Sequence, residues 1–303
     1  MTTWFTSDLH IGHSNIIRYC SRPFVDVETM NRGLVDRWND DVTDDDVVWV
    51  LGDVAMGHIT DSLALIDRLK GRKHLVSGNH DRCFDADRKP HSKAAAWQQH
   101  YLDAGFASVH HGEVRMQIDG ADGGVTDVRA CHFPFVGDSG DEDRYLDRRP
   151  IDDGGWLLHG HVHERWRWHR RMINVGVDAW DYAPVAEATL AAIIVEHDRT
   201  APTVECALDG STMRTIDDFY DQVSERLIPG RSWGRNLDAF NDILHGGFGT
   251  PDDGCTIVWH DADTARGHIG DVFATLVEII HDHAPGTDRF GRPTGSNIRL
   301  ELR

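Results

Sequence analysis

Five short polar clusters carry side chains of the kind that hold metal ions. They are Asp8-x-His10, Gly52-Asp53, Gly78-Asn79-His80-Asp81, His132 and Gly160-His161-x-His163. Imidazole nitrogen, carboxylate oxygen and amide oxygen together suit Mn²⁺, Fe, Zn²⁺ or Ni²⁺. Asp8, His10, Asp53, Asn79, His132, His161 and His163 are too many ligands for one ion. They are about right for two ions that share a carboxylate. Two ions ~3.5–4 Å apart clamp both ends of an in-line displacement at phosphorus.

Each cluster follows an apolar or alternating run: 3–6, 47–51, 74–76, 128–131 and 156–158. β-branched and aromatic residues bounded by Gly and Asp read as strands. Residues two apart in an extended segment point the same way, so Asp8 and His10 converge beyond a strand end. Glycine before Asp53, Asn79 and His161 lets the backbone turn and approach a centre closely. Helical patterns fall at 28–39, 60–70 and 93–104. Strands alternating with helices predict an α/β layered fold, whose ligands gather where strands end. The stretch 188–196 reads as a last strand. The expected division is a first domain 1–197, a linker 198–202 broken by Pro202, and a second domain 203–303. The second domain alternates strand 203–208, helix 215–227, helix 236–245, strand 255–259, helix 269–283 and strand 297–302.

The order D-x-H, G-D, G-N-H-D, H, G-H-x-H over residues 8–163 resembles the calcineurin-like metallophosphoesterase superfamily. The resemblance implies a four-layer αββα sandwich, two packed sheets flanked by helices. It implies that Asp8, His10 and His163 hold one divalent ion, that Asn79, His132 and His161 hold the other, and that Asp53 bridges them. Manganese is the foremost choice, with Fe, Zn or Ni as alternatives. A metal-bridging hydroxide would attack a phosphomonoester or phosphodiester. His80 would contact the phosphate and protonate the leaving oxygen, and Asp81 would orient His80 through its other ring nitrogen. The opening stretch SDLHIGHSNII…RPF, 7–24, is similar to a bacterial and phage branch of the superfamily. In that branch His13, Asn15 and Arg22 line the pocket; the other reading is that they cap and pack the first helix. After Gly52-Asp53 the sequence departs from the Ser/Thr protein phosphatase pattern, which disfavours that activity.

In the second domain, RSWGRNLDAFNDIL places Asp238 and Asp242 four apart on one helical face. With Ile257-Val258-Trp259 and the helix from 269, this pattern resembles barstar, the intracellular inhibitor of the ribonuclease barnase. The resemblance implies a small α/β domain with a three-stranded parallel sheet. It also implies that Asp238 and Asp242 meet a cationic ribonuclease or toxin site. Ser232 beside Trp233 and Thr275 in the later helix depart from the inhibitor's contact pattern. The alternative function is an immunity protein that captures such a toxin, and a regulatory contact in cis is a third possibility.

The 303 residues carry a formal net charge of −19, which argues against an anionic membrane surface or a bulk nucleic-acid coat as partner. The five cysteines lie far apart with no CxxC pair, so neither a disulfide framework nor a thiolate zinc site is expected. No signal-peptide pattern and no membrane-length apolar run is visible, so a cytoplasmic location is expected. The run DSGDED, 138–143, reads as a solvated loop. The Trp/Arg alternation at 164–171 reads as a half-buried strand, with single-stranded nucleic-acid binding as its alternative. His91, His100, His110 and His111 read as ordinary polar or packing residues.

Overall fold

The computed structural model describes residues 1–85, 88, 92–120, 123–140, 144–200, 202, 204–246, 248–251 and 254–303. The chain divides into two compact units. The first is Met1–Val195 with Asp288–Gly291, and the second is Glu196–Thr287 with Arg292–Arg303.

The strands of the first unit are β1 Thr3–Thr6, β2 Val47–Val50, β3 Arg72–Val76, β4 Phe106–His110, β5 Val114–Asp119, β6 Val125–Ala130, β7 Trp156–His159, β8 Trp168–His169, β9 Met172–Asn174 and β10 Val185–Ala186. Its helices are α1 Ser14–Tyr19, α2 Val27–Asp41, α3 Ile59–Leu63 and α4 Lys93–Asp103, and α5 Glu187–Arg199 crosses into the second unit. One sheet runs β10-β1-β2-β3-β4. Its four longer strands are parallel and β10 is antiparallel to β1. In the other sheet β8, β9, β7, β6 and β5 lie side by side, with β6, β7 and β9 parallel.

α2 shows why these elements form. Asp26 caps it by accepting the Thr29 N–H at 2.7 Å, and Met30, Leu34, Val35 and Trp38 make one buried stripe. That stripe packs on Val48, Val50 and Leu75 of the first sheet. The sheet's other side buries Phe5, Leu51 and Val76 against Ile118, Val128, Trp156, Leu158 and Ile173 of the second sheet. The two sheets thus share a core, and the C-terminal ends of β1, β2, β3, β6 and β7 carry the polar clusters.

Four expectations need correcting. The stretch 188–196 is helical, as part of α5, and not a strand. Leu190, Ala191, Ile194 and His197 are its buried residues, and that spacing marks one face of a helix. An apolar run of this kind does not distinguish strand from buried helix by periodicity alone. Because α5 runs to Arg199, the expected linker 198–202 starts inside a helix; residues 201 and 203 lie outside the described residues. The helix expected at 60–70 is two pieces, α3 and a 3₁₀ turn Ile66–Arg68. Of the Trp/Arg stretch only Trp168 and His169 are strand, paired with Ile173 and Met172.

The second unit has β11 Glu205–Asp209, β12 Cys255–His260, β13 Gly286–Thr287, β14 Pro293–Thr294 and β15 Ile298–Leu302. Its further helices are α6 Ile216–Gln222, α7 Leu237–Leu244, α8 Ala262–Ile269 and α9 Asp271–Asp282. The parallel sheet β11-β12-β15 packs Trp259 against Phe219 and Phe273, with Phe240 of α7 against Phe219. α8 was not among the expected elements, which passed from the strand 255–259 to the helix 269–283. Among the described residues no helix is long and apolar enough to cross a membrane.

Candidate metal centre

Asp8, His10, Asp53, His161 and His163 all have positive φ, between 51° and 71°. Non-glycine residues rarely take this conformation, and each instance costs about 1–3 kcal/mol unless its surroundings enforce it. Here they do. The Asp8 N–H donates to the Gly52 carbonyl at 3.1 Å and the His10 N–H to the Asp53 carbonyl at 2.9 Å. The His161 N–H donates to the Asp8 carboxylate at 3.0 Å. Two glycines let the loops close up. A Cβ on Gly52, at φ 94°, would lie 2.5 Å from the Gly78 nitrogen. A Cβ on Gly160 would lie 2.0 Å from Ser7 Oγ. The strand ends are thus folded tightly around one point.

At that point Asp8, His10 and His163 bring donor atoms within 4.8 Å of one another, and so do Asp8, Asp53 and His132. Asp53 Oδ2 lies 3.6 Å from His10 Nε2 and 3.5 Å from His132 Nε2. Asn79 Oδ1 lies 3.1 Å from His132 Nε2. Asp8, His10, Asp53 and His132 are buried. Burial raises the Asp8 carboxyl above its usual range and pushes Asp53 up as well. Burial lowers the His132 imidazole below its usual range. Its Nδ1 faces the Leu51 carbonyl at 2.8 Å and donates its proton there. Its Nε2 faces two oxygens, those of Asp53 and Asn79. Nitrogen and oxygen ligand atoms converging in this way suit a cation between them. His10 fits the same picture: both its ring nitrogens are buried without a hydrogen-bond partner among the described residues. An unsatisfied buried polar atom costs about 1–3 kcal/mol. The nitrogen and oxygen donors fit a divalent transition ion.

The remaining candidates are placed differently. His161 lies beside His132, ring centroids 5.2 Å apart. His80 is exposed at the rim, its ring 5.4 Å from that of His10. Asp81 does not orient His80. One oxygen accepts the N–H groups of Asp53 and Gly78 at 3.0 and 2.8 Å. The other accepts the Val54 N–H at 3.1 Å and the Tyr101 hydroxyl at 3.2 Å. Asp81 is therefore a buried brace between the β2 and β3 loops. Arg22 does not line the pocket either. It is buried, pairs with Asp178 through Nε and Nη2 at 2.8 Å each, and donates to the carbonyls of Asp8 and Leu9. His13 stands at the start of α1 with no capping bond from its side chain, its ring 5.4 Å from His10, and Asn15 is exposed.

Sequence reasoning missed two carboxylates. Asp178 Oδ2 lies 3.2 Å from His163 Nδ1. Burial alone would lower the His163 imidazole, but its bonds to Asp178 and Cys20 and the nearby Asp8 charge raise it well above the usual histidine range. Asp138 Oδ2 lies 3.1 Å from His161 Nε2, and Arg144 and Arg149 also reach Asp138. Asp138 is 2% exposed, which corrects the expectation of a solvated position there, while Ser139 and Gly140 are exposed as expected; 141–143 lie outside the described residues. Asp138 follows Gly137 beyond an apolar run, as Asp53 follows Gly52, and Asp178 lies two residues after Gly176; that was the available signal. Cys20, His163 and Asp178 also cluster. The Arg22 guanidinium already neutralises Asp178 there, so a second cation at that position is disfavoured. His100 packs on Trp97, and His110 and His111 bond the hydroxyls of Ser108 and Ser77; His91 lies outside the described residues.

In the second unit Asp238 and Asp242 are both exposed on α7, which Asn236 caps by accepting the Ala239 N–H at 2.8 Å. Thr275 is exposed on α9.

The chain is 40% identical over 185 residues to the Gene 66 protein of Mycobacterium phage L5, covering 59% of this chain and 87% of that protein. It belongs to the Gene 66 protein family. The Gene 66 protein of Mycobacterium phage D29 is 38% identical over 195 residues, covering 61% of this chain and 92% of that one. Residues 203–299 match the barstar (barnase inhibitor) family, so this member of the Gene 66 family carries a barstar-like domain. A crystal structure of a protein of unknown function from Aquifex aeolicus matches 63% of this chain and 98% of its own, at 24% identity and a TM-score of 0.44. That likeness is too partial to bear on the site.

Proposed function

We propose that the protein is a dinuclear-metal-dependent phosphoesterase with a C-terminal barstar-like module that binds a protein. One observation carries the reading: Asp53 Oδ2, His132 Nε2 and Asn79 Oδ1 converge beside the unpartnered His10, on loops from separate strands. The proposed architecture is the four-layer sandwich of calcineurin-like metallophosphoesterases over about residues 1–197. Asp8, His10 and His163 would hold one ion, Asn79, His132 and His161 the other, with Asp53 between them. Manganese is the preferred ion. Bound ions would supply Lewis acidity at phosphorus and an activated water. His80 stands at the open side, where it can donate a hydrogen bond to a phosphate oxygen. Burial lowers its pKa, and the negative charge of a bound phosphate raises it again, as a proton donor to the leaving oxygen requires. The intact protein is expected to hydrolyse p-nitrophenyl phosphate or its bis ester with Mn²⁺, and EDTA is expected to remove that activity. Turnover of neither ester with any of Mn²⁺, Fe²⁺, Zn²⁺ or Ni²⁺ would refute the reading.

The barstar-family match and the exposed Asp238 and Asp242 favour a second activity, capture of a barnase-like ribonuclease. Calorimetry with such a ribonuclease should give a one-to-one complex. Replacing either acid with alanine should weaken it roughly 30-fold or more, the loss typical of an interface hot spot. Absence of heat with the unaltered protein would remove this partner class.

A further inference from the structure

We propose that Asp138 and Asp178 are positioning residues for the two metal positions, one for each histidine of the Gly160-His161-Val162-His163 turn. The inference rests on the dinuclear reading and deepens it. A histidine that binds a metal through one ring nitrogen is fixed by a carboxylate or carbonyl on the other, which sets tautomer, ring orientation and basicity. The turn carries two such braces. Asp178 sits at Nδ1 of His163, 3.2 Å away, so a metal held with Asp8 and His10 would be taken by Nε2. Asp138 Oδ2 lies 3.1 Å from Nε2 of His161, an ion-pair contact without hydrogen-bond geometry, and a metal would then be taken by Nδ1. The two carboxylates thus stand at opposite ring nitrogens of residues two apart.

Each brace is itself anchored. Arg22 holds Asp178 through both oxygens and also donates to the carbonyls of Asp8 and Leu9. His163 and the Asp8 loop are thus tied to one guanidinium. Arg144 and Arg149 hold Asp138, and the Arg144 N–H donates to it at 3.0 Å. The braces come from separate segments, one after β9 and one after β6. Loss of one should leave the other intact. Asp178 serves the position of Asp8, His10 and His163, and Asp138 serves that of Asn79, His132 and His161.

The test is Mn²⁺ binding to the intact protein by calorimetry and by electron paramagnetic resonance, without substrate. The unaltered protein should bind two ions. Asp178→Asn should weaken one of them roughly 10- to 100-fold and leave the other unchanged. His163→Ala should abolish that same ion, and adding Asp178→Asn to it should change nothing more. Asp138→Asn should weaken the other ion by a similar factor, the one lost in His161→Ala. If Asp178→Asn alone fails to fold, Asp178→Asn with Arg22→Met removes both buried charges and should show the same selective loss. Unchanged affinity for both ions in these variants, or an equal loss of both with a lowered melting temperature, would overturn the assignment. Fewer than two ions on the unaltered protein would instead defeat the dinuclear reading itself, and the assignment with it.

Discussion

Replacing Asp53 with asparagine is expected to lower Mn²⁺-dependent hydrolysis of bis(p-nitrophenyl) phosphate by roughly 10³-fold while the protein stays folded. Asp53 Oδ2 stands between His10 Nε2 and His132 Nε2, at 3.6 and 3.5 Å, so it is the oxygen that would join the two proposed metal positions. Its other oxygen accepts the His80 N–H at 2.8 Å, a bond the asparagine oxygen preserves. The change therefore removes one negative charge and one lone-pair donor with little change of shape. Metal ions stabilise transition-state charge by several kcal/mol, and about 1.4 kcal/mol is tenfold in rate, which sets the expected size. Steady-state rates at saturating Mn²⁺, with the circular dichroism spectrum as control, check it. A rate within a few-fold of the unaltered protein would show that Asp53 does not join the ions.

Arg22→Ala is expected to destabilise the first unit by roughly 3–5 kcal/mol, because it leaves a buried carboxylate without its cation. The Arg22 and Asp178 side chains are 0% and 1% exposed. The Asp8 and Leu9 carbonyls lose their donors in the same substitution. For a unit of this size the midpoint should fall by roughly 6–20 °C. Replacing both partners with apolar residues should recover much of that loss, since it leaves no unpaired charge behind. An Arg22→Ala midpoint within about one degree of the unaltered protein would mean that the pair does not hold the loops.

The polar blocks were legible because each follows a run of β-branched and aromatic residues, and glycine marks where the chain turns. Asp8, His10, Asp53 and His132 were found that way and are buried together. The role of Asp81 was not legible. The family resemblance implied a pair with His80, but neighbours in sequence need not share a side-chain direction, and the carboxylate turns to the backbone of the Gly52–Val54 turn instead. Arg22 was misread for a related reason: its partner lies 156 residues away, and nothing local announces it. Asp138 was hidden by its surroundings, since Gly and Asp after it read as solvent-facing loop. α5 was misread because Ala, Ile and Val in a continuous run serve a buried strand and a helix face equally well.

Turnover of bis(p-nitrophenyl) phosphate by the metal-free intact protein, measured as Mn²⁺ is added stepwise, tests the dinuclear phosphoesterase most directly. The account predicts no activity without metal and a rise that levels off at two ions per chain. No turnover at any ratio, or full turnover by the metal-free protein, would contradict it.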